Sequence, residues 1–331
     1  MADVLKTSTT DTTARPLRAR RAHPVGLAVP PFVRSAAQVA RYRRSSMLPG
    51  LAIIAVIALA GCGAMGRFSP LAPVERSQVF HPVKYPAGNW DDVGIDYEDV
   101  WFEAADGTTL HGWFVLHPRT RAVVLFAHGN AGNLSHRIRT LQELHGRQQV
   151  SVLIFDYRGY GKSEGSPDEA GLLQDARAAR TWLANRTGIP EREVVLMGRS
   201  LGGGVMVDLA AKDGARGLIL ENTFTSLPDV AQRLAPYLPA KLLMSNRFDS
   251  VSKIANYRGP LLQTHGDRDG LVPIALARQL HAAANDPKQF VAVPGGGHNS
   301  PRTVEYHAAL WRFFESLSRR VPGSTSEARP F

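Results

Sequence analysis

The pentapeptide Gly198-Arg-Ser-Leu-Gly202 places a serine between two glycines, at a spacing that suits a reactive hydroxyl. The apolar, β-branched run at 194–197 predicts a buried strand before it, and apolar residues at helical spacing predict a helix after it. A strand, a sharp turn and a helix in this order form a nucleophile elbow, which exposes the serine at the carboxyl end of a sheet. The flanking glycines are required because a side chain there would clash with the neighbouring strand and helix. Ser200 is therefore the candidate nucleophile.

A serine hydroxyl needs a base to take its proton, and the base needs a third group to hold its tautomer. After a nucleophile elbow, these groups follow in the order Asp or Glu, then His. Asp269 and His298 satisfy this order, and each lies on a loop after a predicted strand. Asp267, two residues nearer the strand, and Glu221, at the end of the preceding strand, are alternative acids. Asp269 is preferred because Asp-x-x-Val-Pro places it just before the next helix.

The negative oxygen that forms during acyl transfer needs two backbone N–H donors. One comes from the residue after the nucleophile, which is Leu201, and the other from the loop after the third strand. That loop is His128-Gly-Asn-Ala-Gly-Asn133. We expect the N–H of Asn130 to be the second donor, and His128 to shape the loop rather than act as a base.

Two further patterns bear on cofactors. Gly161-Lys-Ser163 resembles the end of a phosphate-binding loop, but the required first glycine would fall at Asp156, so that motif is absent. No metal-ligand spacing such as H-E-x-x-H occurs in the sequence. We therefore expect no metal and no other cofactor.

Alternating strands and helices from residue 96 onward must position these side chains. The turn 105–107 predicts a hairpin between the first two strands, whereas helical segments separate the later strands and predict parallel pairing. This pattern predicts an α/β fold over 96–318, with a mostly parallel eight-stranded sheet and helices on both faces. Residues 222–258 have no strand pattern and add at most a small helical cap. The strands are predicted at Tyr97–Glu103, Leu110–Leu116, Ala122–Ala127, Val150–Asp156, Val194–Met197, Gly217–Glu221, Pro260–Thr264 and Gln289–Val293.

Two helices of this pattern have distinct end signals. Ser166-Pro-Asp-Glu169 predicts a capping box with proline at the first helical position, and Gly188 predicts the end of the same helix. Ser300-Pro301 predicts the start of the last helix. Its predicted apolar stripe consists of Val304, Ala308, Trp311 and Phe314.

The formal charge of +10 over 331 residues is unevenly distributed. Residues 1–46 hold nine basic and two acidic side chains, so the rest of the chain is close to neutral. A basic amino-terminal segment, disordered or part of an extended signal, explains this better than nucleic-acid binding, which we do not expect.

The single cysteine, Cys62, ends the apolar run 51–62, and Leu59-Ala-Gly-Cys62 resembles a bacterial lipobox. Basic residues at 41–44 precede the run, as in a signal peptide. The sequence therefore predicts a signal segment at 47–62 and acylation of Cys62, giving an exported lipoprotein anchored in a bacterial envelope. An uncleaved inner-membrane anchor at 45–66 is the alternative. We expect 63–95 to be a tether or an irregular lead-in, and 319–331 a flexible tail.

Four blocks of sequence resemble the α/β-hydrolase subgroup that includes the ABHD13-, ABHD17- and BEM46-like proteins. They are His128–Asn133, Asp156–Gly165, Gly198–Gly203 and Glu221–Phe224. The resemblance implies a serine hydrolase that acts on esters, thioesters or lipids. The basic amino terminus and the lipobox depart from that subgroup, so an intracellular depalmitoylating role does not transfer.

The sequence thus predicts a monomeric serine hydrolase of the esterase, thioesterase or lipase type. We expect its partners to be a small-molecule or lipid acyl substrate and, through the amino-terminal segment, a membrane. A serine peptidase of the aminopeptidase type remains an alternative, because it would use the same triad. A non-catalytic binding protein that keeps the hydrolase fold is a second alternative.

Overall fold

The computed structural model describes residues 72–318 apart from residues 92 and 238, and in this part eight strands form one sheet. Their order is β1-β2-β4-β3-β5-β6-β7-β8; β2 runs antiparallel to β1 and β4, and the other neighbours are parallel. All eight predicted strands are present, with bounds that differ by at most two residues. The strands are β1 (Glu98–Glu103), β2 (Thr109–Val115), β3 (Val123–Ala127), β4 (Ser151–Phe155), β5 (Val195–Arg199), β6 (Gly217–Glu221), β7 (Leu261–Gly266) and β8 (Lys288–Val293).

Helices cover both faces of this sheet, as the sequence predicts. They are α1 (Ala72–Val79), α2 (Ile138–Gln142), α3 (Glu169–Thr187), α4 (Leu201–Asp213), α5 (Leu227–Leu234), α6 (Ala240–Leu243), α7 (Ser250–Lys253), α8 (Ile274–Ala283) and α9 (Val304–Ser318). Short 3₁₀ turns lie at Leu134–Arg137, Glu191–Glu193 and Ile254–Asn256, and a π-helical turn lies at Glu143–Arg147. The short helices α5, α6 and α7 lie within 222–258, where the sequence has no strand pattern.

The core consists of two apolar clusters, one on each face of the sheet. Side chains of α3, α4 and α8 belong to the first, and side chains of α2 and α9 belong to the second. Every residue of β3, β4 and β6 is buried. These strands are mostly apolar rather than alternating because helices cover both faces.

Helix α3 ends as predicted but begins differently. Gly188 terminates it in the left-handed conformation, at φ 69°. Its amino-terminal cap is Asp168, whose carboxylate accepts the N–H of Gly171 at 2.7 Å. The predicted capping box at Ser166 is therefore wrong, because Asp168 immediately precedes the first helical residue and reaches the free N–H groups of the first turn.

Helix α9 also differs from its prediction. It begins at Val304 rather than at Ser300-Pro301, and Val304 itself is 77% exposed. Of the predicted stripe, Phe314 is buried, but Val304 and Trp311 are exposed, because the sheet contacts a face that is rotated about the helix axis from the predicted one. The buried residues are Tyr306, Ala309, Leu310, Phe313, Phe314 and Leu317.

The lead-in is bound to the rest of the fold from residue 72 onward. The carboxylate of Glu75 in α1 accepts the backbone N–H groups of Ser245 and Asn246. Farther on, Pro82 pairs with Gly132 and Lys84 with Gly161. In the described residues no helix is both long and apolar enough to cross a membrane. Cys62, the basic segment 1–46, the signal segment 47–62 and the tail 319–331 lie outside the described residues.

Candidate active site

Ser200 lies in the turn between β5 and α4 with φ 53° and ψ −117°, a conformation that side chains rarely adopt. The chain must turn this sharply because α4 begins at the very next residue. A Cβ on Gly198 would lie 2.3 Å from the carbonyl oxygen of Gly202, and a Cβ on Gly202 would lie 2.1 Å from that of Ala127. Both contacts are with backbone, so only glycine fits at either position. This is the nucleophile elbow that the sequence predicts.

The three side chains chosen from the sequence come together at the carboxyl edge of the sheet. The Oγ of Ser200 lies 3.1 Å from Nε2 of His298. The other ring nitrogen, Nδ1, lies 2.7 Å from Oδ2 of Asp269. With the proton on Nδ1 donated to the carboxylate, Nε2 is free to accept the serine proton.

Asp269 is held as an anion by its hydrogen bonds. Its Oδ1 accepts the N–H groups of Leu271 and Val272 at 2.9 and 2.8 Å. Nε2 of His265, a fully buried residue, lies 3.4 Å from Oδ2. Burial opposes ionisation, but hydrogen bonds from His265, His298 and the Val272 N–H outweigh it and lower the pKa of Asp269 below its usual range.

The alternative acids do not contact His298. Glu221 is buried and pairs with Arg302 at 2.8 Å, and the hydroxyl of Tyr306 donates to it. Asp267 accepts the N–H of Gly295 at 2.7 Å, so it fixes the loop that leads to the histidine.

Two residues that the sequence reasoning missed hold the histidine loop in place. The guanidinium of Arg199 donates to the carbonyl of His298 at 2.7 Å, and the side-chain amide of Asn222 donates to the same oxygen at 2.8 Å. Asn222 has φ 46°. The sequence offered a signal for both, because Arg199 lies inside the serine motif and Asn222 lies in the block Glu221–Phe224.

The loop after β3 passes beside the serine. A Cβ on Gly129 would lie 3.6 Å from the Cβ of Ser200. The side chain of the next residue, Asn130, is fixed, because its oxygen accepts from the Tyr160 hydroxyl at 2.8 Å and its amide donates to the Val79 carbonyl. That loop is thus held rigidly against the elbow.

Leu201 and His128 complete the surroundings of the serine. Leu201 is the first residue of α4, so its N–H is one of the donors that a helix leaves unpaired at its start. His128 is fully buried within its loop, with Nδ1 2.7 Å from the Gly129 carbonyl and Nε2 3.3 Å from Asp156. Its two nitrogens are thus directed to the loop and to Asp156.

A cavity of about 240 Å³ lies beside the histidine loop and is lined by Arg199, Asn222, Gly297 and Asn299, among others. In the described part of the chain, His, Cys, Asp and Glu side chains form no group of three that could hold a metal ion.

Comparisons with known proteins agree with this architecture. The family model described as "Serine aminopeptidase, S33" matches residues 118–253. The protein Rv2307c of Mycobacterium tuberculosis is 37% identical over 270 residues, which cover 81% of this chain and 94% of that protein. The α/β-hydrolase domain-containing protein WAV2 of Arabidopsis thaliana is 38% identical, with 62% of this chain and 73% of WAV2 covered. Protein bem46 of Schizosaccharomyces pombe is 32% identical, with coverages of 68% and 80%.

Solved structures show the same fold. The esterase Pf2001 of Pyrococcus furiosus superimposes with a TM-score of 0.58 at 21% identity, covering 73% of this chain and 98% of the esterase. Est1E of Butyrivibrio proteoclasticus, solved with ferulic acid bound, gives 0.57 at 20% identity, covering 67% and 100%. Together with the sheet order, the elbow and the curated relatives, these likenesses show that the chain belongs to the α/β-hydrolase family, among the relatives of WAV2 and bem46.

Proposed function

We propose that this hydrolase cleaves acyl esters or thioesters through a covalent acyl-enzyme on Ser200. His298 is the general base and then the general acid, and Asp269 orients it. The backbone N–H groups of Leu201 and Asn130 stabilise the oxyanion.

One observation carries this proposal: the unbroken line of hydrogen bonds from Ser200 Oγ through the His298 ring to Asp269. A hydroxyl, an imidazole and a buried anion in this order can move one proton without placing positive charge in an uncompensated site. The rigid β3 loop and the start of α4, on either side of the serine, support the two oxyanion donors.

In the first step, Ser200 Oγ attacks the acyl carbonyl carbon while its proton passes to Nε2 of His298. The carbonyl oxygen becomes negative and accepts the two N–H groups. When the tetrahedral intermediate collapses, the bond to the leaving alcohol or thiol breaks, and the leaving group takes the proton from His298. Water then attacks the acyl-serine by the same route and releases the carboxylic acid.

A fluorophosphonate probe tests the nucleophile directly, because it forms a stable bond only with an activated serine. We expect the wild type to be labelled and Ser200→Ala to give no labelling. Ser252→Ala changes an exposed serine on α7 and is the matched control, which should label like the wild type. Equal labelling of wild type and Ser200→Ala, or no labelling of either, would contradict the proposal; the second result would favour a binding protein.

A serine aminopeptidase is the second candidate, because the matching family model carries that description. An aminopeptidase must bind the free ammonium of its substrate, which calls for an unpaired carboxylate close to the serine. The carboxylates at the sheet edge that carries Ser200 already have partners: Asp269 binds His298, Glu221 binds Arg302 and Asp267 binds the Gly295 N–H. We therefore favour the esterase.

Two chromogenic substrates distinguish these activities. Alanine p-nitroanilide with a free amino group tests the peptidase, and p-nitrophenyl butyrate tests the esterase. We expect kcat/KM to be at least a hundredfold higher for the butyrate ester than for the anilide. Because aryl esters are intrinsically more reactive, alanine p-nitrophenyl ester is the control. A preference for this amino ester over the butyrate ester would favour the peptidase.

We also propose that the chain is exported and anchored through an acylated Cys62. The lipobox and the apolar run before it support this, and both lie outside the described residues. Mass spectrometry of the amino-terminal peptide from the membrane fraction should find diacylglycerol on Cys62. Cys62→Ser should leave the segment uncleaved, and an unprocessed wild-type amino terminus would refute the idea in favour of an anchor at 45–66.

A further inference from the structure

The cavity beside the histidine loop has an excess of positive charge. It lies between the start of α2, the carboxyl ends of β5 and β6 and the loop before α9, and Ser200 is not among its lining residues. Its charged lining consists of four arginines and two glutamates: Arg137, Arg139, Arg199, Arg302, Glu143 and Glu221.

Both glutamates are already paired. Arg302 donates to Glu221 at 2.8 Å and to Glu143 at 3.2 Å. Arg139 donates to Glu143 at 3.1 Å. Neither glutamate of the lining forms an ion pair with the other two arginines.

Arg137 and Arg199 contact only neutral partners among the described residues. Arg137 donates to the Ala131 carbonyl, and its enclosed Nε has no hydrogen-bond partner in the described structure. Arg199 donates to the His298 carbonyl and, at 3.1 Å, to the Asn299 side chain. Burial lowers the pKa of both guanidinium groups, and for Arg137 the positive charge of Arg199 lowers it further.

Glu221 offsets part of the charge of Arg199, but neither Arg137 nor Arg199 forms an ion pair of its own among the described residues. Two partly buried cations that face one cavity in this way are costly, and an anion between them lowers that cost. We propose that this cavity is a binding site for a phosphate group, held between Arg137 and Arg199. A phosphate carries close to two negative charges near neutral pH, which matches the excess charge of the lining. The guanidinium fork presents paired N–H donors to phosphate oxygens, and Arg137 and Arg199 each carry one such fork into the lining. The volume of about 240 Å³ is ample for one phosphate with several waters.

The phosphate has two sources, a substrate that bears a phosphate or free inorganic phosphate. The cavity adjoins the His298 loop, and Arg199 belongs to both. Phosphate bound there, from either source, would therefore lie next to the catalytic histidine. Phosphate binding at this site does not depend on the proposed esterase activity. The assignment of the phosphate to a substrate does depend on that proposed function.

Binding is measured first, and needs no activity. Inorganic phosphate is titrated into the wild type by calorimetry at pH 7.5, with ionic strength kept constant by potassium chloride. We expect saturable one-site binding, and a Kd at least tenfold weaker in Arg137→Gln. Arg137→Lys should fall between them, because it keeps the charge but loses the fork. Arg312→Gln, on the exposed surface of α9, should stay within twofold of the wild type.

Thermal melting shows whether each variant is folded, and phosphate should raise the Tm of the wild type but not of Arg137→Gln. Absence of saturable binding to the wild type, or equal Kd values for the wild type and Arg137→Gln, would overturn the proposal. Chemical protection provides an independent measurement on the wild type: phosphate should slow modification of Arg137 by phenylglyoxal. An unchanged modification rate would also contradict the site.

Two esters then separate the sources. The two esters have the same acyl chain length and the same leaving group. They differ only at the far end of the acyl chain, which carries a phosphate in one and a neutral hydroxyl in the other. A preference for the phosphate ester in kcat/KM that falls at least tenfold in Arg137→Gln assigns the site to substrate. Phosphate binding without such a preference assigns it to free phosphate. If no ester is cleaved, the proposed function fails while the calorimetry still decides the site.

Discussion

Asp269→Asn should abolish most of the activity, because it moves the ring proton of His298 from Nδ1 to Nε2. The Oδ1 of Asp269 accepts two backbone N–H groups, from Leu271 and Val272. In the variant, the amide oxygen must take that position, because an NH2 group there would face two donors. The NH2 group is then directed at Nδ1 of His298 and donates to it. The ring proton moves to Nε2, which can no longer accept the proton of Ser200.

The size of this effect follows from the loss of both the base and the anion. A triad with the wrong tautomer loses about 10⁴-fold in kcat, which corresponds to about 5.4 kcal/mol in the activation free energy. The KM should change by less than about threefold, because the interaction that is lost acts in the transition state and not in substrate binding.

Hydrolysis of p-nitrophenyl butyrate, followed over a range of concentrations, separates kcat from KM. Asp267→Asn is the matched control, because the amide oxygen can still accept the N–H of Gly295; it should keep at least about a tenth of wild-type kcat. If Asp269→Asn keeps more than a tenth of wild-type kcat, or if Asp267→Asn is the more damaging change, the assignment of the acid is refuted.

Three further predictions test the fold and the site. Gly202→Ala would place a Cβ 2.1 Å from the carbonyl oxygen of Ala127, so the elbow must shift; we expect at least about a hundredfold loss of kcat/KM, with a lower Tm. Asp175→Ala removes the buried carboxylate that binds Arg158 at 2.7 Å, and urea denaturation should show a loss of about 3–5 kcal/mol in the free energy of unfolding. The pKa of Asp269 is lower in the folded state than in the unfolded chain, so its ionised form stabilises the fold above about pH 4. That contribution disappears as the pH falls, and urea denaturation should show the penalty of Asp269→Asn to be smaller at pH 3 than at pH 7.

Each of these predictions has an internal control. Gly146→Ala adds a Cβ with no atom within 4 Å, so it should leave activity unchanged and stability equal or slightly higher. Asp106→Ala removes the exposed partner of Arg158 and should cost less stability than Asp175→Ala. A larger penalty for Asp269→Asn at pH 3 than at pH 7 would contradict the low pKa of that carboxyl.

Local patterns were sufficient for the elements of this fold. The apolar run at 194–197 predicted β5, because a strand that is covered on both faces needs no alternation. The elbow was predictable as well, because its two glycines stand at a fixed spacing around the serine. Gly198 faces the backbone of Gly202, one turn away, and Gly202 faces the backbone of Ala127 in the neighbouring strand. The order of Ser200, Asp269 and His298 also lies in the chain itself.

Features that depend on a neighbouring element were not predictable in this way. Helix α9 presents several apolar faces in its sequence, and contact with the sheet selects the one that includes Tyr306 and Leu310 rather than Val304. Arg302 resembles an ordinary helix-flanking arginine until the fold brings it to Glu221, 81 residues away in the chain.

The sequence by itself determined the positions of the eight strands, the nucleophile elbow and the three candidate side chains. Each of these was recognisable from a motif of neighbouring residues. Only the tertiary structure decided which acid faces the histidine. Asp269, Asp267 and Glu221 all end at one edge of the sheet, and hydrogen bonds from distant loops assign each a different partner. The two arginines without a carboxylate partner are likewise a property of the fold, because charge balance in a cavity depends on side chains that meet only after folding.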